Sequence, residues 1–353
     1  MNTSLYQQNA VLAQAIRASE QAHNERARLF LCIECDGALG FGEVAPQPYA
    51  LNGDPSLEQV LRAVRGALAR LEAVASREGS LPEWSRVARF SSGSPRENVA
   101  MALVEMALLD RELKASSSAI GDLWPQCFET PTQATVSLLD DVPWRVDSSA
   151  ARVRVKCAPG VIEDSALERL ASLSVPVIMD YNCSATDDDG VRRQLDVIQH
   201  VVDVAAVEQP YAVGNVIDHA RLAAVVDVPI SIDEGLRSTR DLRYIANYGA
   251  ATMICVKPAR VGGLANARTL IAKAKEFGIT AYVGGFFESP FARGVHRALA
   301  RSCVSEPSDI GNVVIEGDGE AESTVVDVSF GVEPSRGMLA GATRLSKNSS
   351  GES

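Results

Sequence analysis

Five ionisable residues recur at a nearly constant interval: Lys156, Asp180, Glu208, Asp233 and Lys257 stand 24, 28, 25 and 24 residues apart. Each closes or follows a short apolar run, as in Val177-Ile-Met-Asp180, Ala205-Ala-Val-Glu208, Ser231-Ile-Asp233 and Cys255-Val-Lys257, where a buried strand would ordinarily stay apolar. The interval is about one strand plus one helix, so in a barrel all five project at the carboxyl ends of the strands, the rim where such enzymes hold their sites. Three carboxylates converging there form a hard-oxygen site suited to Mg²⁺, with Mn²⁺ as a substitute. Without a cation they would repel one another strongly, and a divalent ion relieves that. The two lysines flank the acids, on the second and sixth strands. A proton next to a carboxylate is too weakly acidic for lysine alone, but a cation holding both carboxylate oxygens stabilises the dianion that forms. A lysine acting as base must be partly neutral, and nearby cations push its pKa down. One Asp or Lys at a strand end is ordinarily a solvated cap or a surface ion pair. Five in phase with the repeat are not accounted for in that way.

The elements that must position them follow from Thr132 onward. Apolar, β-branched runs at Ala134–Leu138, Val153–Lys156, Val175–Met179, Ala205–Val207, Pro229–Ile232, Met253–Val256 and Thr280–Val283 read as strands. Helical stretches at Val191–His200, Ala220–Val226, Thr239–Tyr248 and Leu264–Phe277 alternate with them, which implies a parallel sheet. Seven strands in about 150 residues fit a closed barrel better than a doubly wound open sheet, the runner-up. The first 130 residues read as a separate α+β unit. Ala27–Cys35 and Leu39–Val44 form a hairpin about Asp36-Gly37, and Ser56 caps a helix whose apolar face is Leu57, Val60, Leu61, Val64, Leu68 and Leu71. A second helix runs from Pro95 to Leu113, and Gly121–Pro131 is the linker.

The net charge of −11 over 353 residues, with no basic stretch to offset it, argues against nucleic acid. No apolar run reaches the roughly 18–20 residues that cross a bilayer. Seven scattered cysteines, with no secretory segment ahead of them, are expected as free thiols in a cytoplasmic protein. Cys32-Ile-Glu-Cys35 lies in a strand-like run with no second pair or histidine to complete a zinc site, so it is read as structural. His219 and His296, each in a helical stretch away from the strand ends, are also read as structural, and Arg237, Arg240 and Arg243 as a solvated helix face.

At these motifs the chain resembles the muconate-lactonising subgroup of the enolase superfamily, in particular the o-succinylbenzoate synthase / N-succinylamino-acid racemase branch. Arg154-Val-Lys156 is similar to the family's Lys-x-Lys, Asp180-Tyr-Asn182 to Asp-x-Asn, Glu208-Gln-Pro210 to Glu-Gln-Pro, and Asp233-Glu234 to Asp-Glu. Lys257-Pro-Ala-Arg260-Val-Gly-Gly263 resembles the sixth-strand motif. Gly284-Gly285-Phe-Phe-Glu288-Ser289 and Pro307-Ser-Asp309-Ile310 resemble the seventh- and eighth-strand segments. The resemblance implies a (β/α)7β TIM-like barrel at 131–318, an N-terminal α+β capping domain at 1–130, and a segment at 319–353 that returns to the cap; the Gly-, Ser- and charge-rich composition of the last residues leads us to expect a disordered tail beyond about Arg344. It implies that Asp180, Glu208 and Asp233 bind Mg²⁺ and that Lys156 and Lys257 are the acid/base pair. Arg154, Asn182 and Glu234 would support them, Gly284 and Gly285 would let a ligand approach the backbone, and Glu288 would sit beside the substrate carboxylate or brace its loop. Three departures stand out: Arg154 replaces a lysine, Gly235 replaces a serine, and residues 1–28 do not follow the family's opening strand and mobile loop, with Leu12–Ala22 suited to a helix.

The expected substrate is a small carboxylate. Two intact lysines suit racemisation or epimerisation of an N-acylamino acid or dipeptide through an enediolate. The alternatives are β-elimination of the o-succinylbenzoate synthase type, and a non-catalytic binding protein on the same scaffold. A homo-oligomer is compatible with a barrel of this kind.

Overall fold

The computed structural model describes residues 1–18, 21–138, 144, 146, 148–311, 339 and 342–345. Strands β1 (Asn2–Ala18), β2 (Gln21–Cys35) and β3 (Ala38–Val44) form an antiparallel sheet, joined at its outer edge by β11 (Thr343–Leu345). Asp36 and Gly37 both take positive φ, 53° and 75°, the mirror-type turn whose twist matches the strands it connects. Helix α1 (Leu57–Glu78) starts at Ser56, whose side chain accepts from Gln59 N while Gln59 Oε1 accepts from Ser56 N. After a 3₁₀ segment (Trp84–Phe90), α2 (Pro95–Ser116) crosses the back of the sheet, and the short α3 (Ile120–Leu123) follows. Contact between α2 and β3 depends on two glycines. A Cβ at Gly40 or Gly42 would stand 2.1 Å from Ala107 O or 2.2 Å from Leu103 O.

From β5 onward strands and helices alternate, with two helices after β9: β4 (Thr132–Ser137), β5 (Ala150–Lys156), α4 (Asp164–Ala171), β6 (Val177–Asp180), α5 (Asp188–Gln199), β7 (Val204–Glu208), α6 (Val216–Ala223), β8 (Ile230–Ile232), α7 (Thr239–Tyr248), β9 (Met253–Val256), α8 (Pro258–Val261), α9 (Leu264–Glu276), β10 (Thr280–Val283) and α10 (Pro290–Cys303). The seven strands form one parallel sheet in chain order, curled into a half-barrel with helices against it. Residues 307–310 span the gap between its edges: Gln133 N donates to Ser308 O at 2.9 Å, and Asp309 N donates to Val283 O at 2.9 Å.

Strand parity divides the side chains. Val153, Val155, Val177, Met179, Val207, Ile254 and Val256 join the main core, whereas Ile178, Ala206, Met253, Cys255 and Tyr282 form a separate cluster. Successive strand residues point to opposite faces, so the second set lies on the same face as Arg154, Asp180, Glu208 and Lys257. The site residues are thus the rim of the layer that this smaller cluster fills.

Two expectations change. Leu12–Ala18 and Gln21–Ala22 are not helical: β1 and β2 pair antiparallel from Asn2 with Glu34 to Ala18 with Gln21, interrupted by an irregularity between Val11 and Ile16. Cross-strand pairing and packing of Ala10 and Leu12 against Phe287 override the local helical preference. Arg237 is not on a solvated face; it lies ahead of α7 and donates to Asn52 O at 3.1 Å, beside Asp54. The exposed Arg240 and Arg243 remain on α7. The segment expected at 319–353 lies outside the described residues except for 339 and 342–345, of which Leu345 pairs with Leu5. Among the described residues no helix is long and apolar enough to cross a membrane.

Candidate active site

Lys156, Asp180 and Glu208 are in register across three neighbouring strands, with Lys156 paired to Asp180 and Asp180 to Glu208. Asp233 follows β8 and Lys257 follows β9, so the five residues line one rim with the lysines at its two ends. Every acid here is already met by a cation. Lys156 Nζ donates to Asp180 Oδ2 at 2.5 Å, and Lys257 Nζ donates to Asp233 Oδ2 at 2.8 Å. Arg260 Nη1 donates to Asp233 Oδ1, and Arg154 Nε donates to Glu208 Oε2 at 3.2 Å with Asp180 Oδ2 at 3.7 Å. Tyr282 Oη donates to Glu208 Oε2 at 2.5 Å.

The charges separate these carboxyls. Burial pushes Glu208 up to about 7, with Arg154 pulling it down and Asp180 and Asp233 adding to the rise. Burial also works against charge on Asp233, but Arg260, Lys257 and Arg154 outweigh it and hold that carboxyl far below its ordinary range. Burial and the charge of Asp233 raise Glu234 to about 7. Burial works most strongly against the Lys257 ammonium, while Asp233 favours it, and the lysine is held above its usual range.

Whether the residues fit a cation can be judged from the atoms left over. Glu208 Oε1, Glu234 Oε2 and Asn182 Oδ1 are buried with no hydrogen-bond partner. Buried acceptors without partners are costly, and a cation at Glu208 would remove one such cost. Among the described residues, the group with ligand atoms within 4.8 Å of one another is Glu208, Asp233 and Cys255. Asp180 lies outside that group, engaged by Lys156 and Arg154. Glu208 and Asp233 thus form a candidate acidic metal site, and Cys255 is a neighbour that the sequence pattern did not point to.

The supporting residues take definite places. Asn182, at φ 44°, donates from Nδ2 to Glu234 Oε1 at 3.0 Å and from its backbone N to Asp180 Oδ1 at 3.0 Å. Gln209, also at positive φ (37°), accepts from the backbone N of Asp233 at 3.0 Å and of Gly235 at 2.9 Å, tying the end of β7 to that of β8. Gly284 and Gly285 make room for side chains. A Cβ on Gly284 would lie 2.6 Å from Cys255 Sγ, and one on Gly285 would lie 2.8 Å from Glu288 Oε2. Glu288 braces its own loop, accepting from Phe286 N at 2.8 Å with Arg293 Nε at 3.5 Å. His296 is buried on α10, and His219 lies beside Gln209 and Tyr211. Sequence reasoning gave no site role to Arg260, Tyr282, Asp309, Asp54 or Gln209, although Arg260, Asp309 and Gln209 stand in the motifs quoted above. For Tyr282 the available signal was parity, since it is the inward residue of β10.

Comparison with known proteins bears on this arrangement. Residues 145–325 match the family described as enolase C-terminal domain-like. An o-succinylbenzoate synthase of Enterococcus faecalis is 30% identical over 216 residues, which is 59% of this chain and 57% of that enzyme. An N-succinylamino acid racemase of Amycolatopsis is 27% identical over 305 residues, 82% of this chain and 79% of the relative. The solved structure of N-succinyl Arg/Lys racemase from Bacillus cereus superposes with a TM-score of 0.79 at 19% identity, covering 98% of this chain and 99% of that one, which establishes the fold.

Proposed function

The chain belongs to the enolase C-terminal domain-like family, within the enolase superfamily of enzymes, and from that premise we propose that it removes the proton next to a substrate carboxylate and returns one to the opposite face, racemising or epimerising an N-acylamino acid or dipeptide. The observation that carries this reading is the placement of Lys156 and Lys257 at the two ends of one rim, with Asp180, Glu208 and Asp233 on the strands between them. Asp180, Glu208 and Asp233 would hold Mg²⁺, which when bound would supply positive charge that stabilises the negative charge developing next to the substrate carboxylate.

The chain's own residues do the rest. Lys156 and Lys257 reach the α-carbon from opposite sides, one taking the proton as a neutral amine while the other gives a proton as an ammonium. Arg260 and Lys257 share Asp233, so that one carboxylate positions both cations at the end of β8. Arg154, forked between Glu208 and Asp309, fixes the floor of the site. Phe286, its ring 4.9 Å from Lys257 Nζ, walls the lysine off from water.

β-Elimination of the o-succinylbenzoate synthase type is the second reading, favoured by the name of the enterococcal relative. Proton NMR in D₂O with Mg²⁺, over N-acylamino acids and dipeptides, tests the first. We expect exchange at the α-carbon in both enantiomers, lost by about 10²–10⁴-fold in Lys156→Ala and in Lys257→Ala alike. An elimination needs one base, so marked inequality between the two variants would transfer the assignment to it. Silence toward every substrate by the Mg²⁺-loaded wild type would sink the two-base reading.

A further inference from the structure

Cys255 plays no part in the acid–base scheme, yet its sulfur stands among the acids of the rim. Between β8 and β9 the register runs Ser231 with Met253 and Ile232 with Ile254, so Asp233 comes level with Cys255. Strand parity turns both side chains inward. Ligand atoms of Cys255, Glu208 and Asp233 lie within 4.8 Å of one another, and all three residues are buried. A tetrahedral zinc site, with Zn–S of about 2.3 Å and Zn–O of about 2.0–2.2 Å, sets its ligand atoms roughly 3.5 Å apart, so small side-chain rotations close this group on one ion.

The surroundings of the group favour an occupant that binds sulfur. Glu208 is 0% exposed, and its Oε1 is buried with no hydrogen-bond partner. Arg154 Nη2 lies 3.8 Å from Cys255 Sγ, a cation placed to favour the thiolate. On the far side Gly284 leaves the sulfur room, since a Cβ there would stand 2.6 Å from Sγ. Asp180, by contrast, has both oxygens met: Oδ1 accepts from Asn182 N at 3.0 Å and Oδ2 from Lys156 Nζ at 2.5 Å. The donors that remain are two carboxylates and a sulfur. Mg²⁺ takes oxygen and passes over sulfur, whereas Zn²⁺, Cd²⁺ and Co²⁺ accept thiolate.

We propose that the barrel mouth has a second way of binding metal, in which Cys255, Glu208 and Asp233 hold a thiophilic divalent cation that excludes Mg²⁺. The Cys255 S–H bond gives up its proton to solvent as the metal–sulfur bond forms, with no change of oxidation state. The thiolate adds the negative charge that a cation needs beside Arg154, Lys257 and Arg260. Asp180 stays with Lys156, so that lysine remains tied while the thiophilic ion is bound. The mode shares two acids with the Mg²⁺ set proposed above but requires nothing of the reaction.

The test is ultraviolet titration of the reduced full chain with Cd²⁺ and with Co²⁺, which show thiolate-to-metal charge-transfer bands when sulfur is a ligand. Wild type is expected to develop one such band, complete at one equivalent, and excess Mg²⁺ should titrate it away because Glu208 and Asp233 are shared. Cys255→Ser should abolish the band and weaken Cd²⁺ by about 10²–10³-fold, the share of one thiolate in a zinc-type site. The same variant should keep Mn²⁺ affinity, read by the resonance of the free ion, within about threefold, since hard ions do not use the sulfur. Cys183→Ser, which alters the thiol close to Glu234 and Asp233, should keep the band. Absence of the band in wild type, its persistence in Cys255→Ser, or its indifference to Mg²⁺ would overturn the proposal. The wild-type band and its competition by Mg²⁺ need no variant, so misfolding of Cys255→Ser cannot hide the answer. Cd²⁺ bound without a band and displaced by Mg²⁺ would remove the sulfur and leave the acidic site. Binding of neither Mg²⁺ nor Cd²⁺ would remove both.

Discussion

Arg154 shows how much one side chain carries in the barrel interior. It is fully buried, reaches Glu208 and Asp309 with separate nitrogens, and lies 3.8 Å from Cys255 Sγ. Arg154→Met would leave two buried carboxylates short of a partner, and we expect a loss of about 3–5 kcal/mol in stability, measured by denaturant unfolding. Arg154→Lys keeps the charge but loses the fork and should cost less. A loss below about 1 kcal/mol in the methionine variant would mean that other cations already neutralise the floor. The five residues of the rim were legible because each interrupts an apolar run at a regular interval. Tyr282, Asp309 and Asp54 were not, since their roles arise only when distant segments meet.

Among the elements, the contact between α2 and the start of α9 has a pH dependence of its own. Glu105 on α2 accepts from the backbone N of Leu264 and from that of Ala265 at 3.2 Å, and a Cβ on Gly263, which sits at φ 122°, would stand 2.1 Å from its Oε2. Burial nonetheless pushes the Glu105 carboxyl up to about 8. An unfolded glutamate titrates near 4.3, so between that value and about 8 the folded state holds a proton that the unfolded state has released. This contribution to stability is fully present below the lower value and is lost as pH rises through the upper one. Glu105→Gln should flatten the fall in urea midpoint between pH 5 and 8; an unchanged slope would show that the charged form is retained at the helix start. Strand positions were readable at this scale from β-branched runs, and the barrel helices from their spacing. The β1–β2 hairpin was not, because a segment with helical local preference was recruited by a partner strand and by Phe287.

In the whole molecule, the cap and barrel are joined by buried charge as well as by apolar packing. Asp54 accepts from Arg260 Nε at 3.0 Å and Nη2 at 2.7 Å, Arg237 approaches it at 3.5 Å, and Glu43 accepts from Ser289 N at 2.6 Å. Asn98 Nδ2 on α2 donates to Arg260 O at 2.9 Å. Arg260 also holds Asp233, so the cap is coupled directly to the rim. Asp54→Asn should cost about 3 kcal/mol in unfolding free energy and reduce turnover, because Arg260 is then held from one side only. Wild-type stability together with unchanged turnover would mean that Arg237 and the apolar contacts suffice to seat the cap.

The chain's sequence by itself determined the barrel strands and the interval that brings two lysines and three acids to one rim. Hydrophobic period and the interval between βα units are local properties, and local properties survive without coordinates. Only the tertiary structure decided that Lys257 pairs with Asp233, that Glu288 braces a loop, and that Gly284 and Gly285 make room for side chains. Each depends on which distant groups share a low-dielectric space, a quantity that no spacing along the chain encodes.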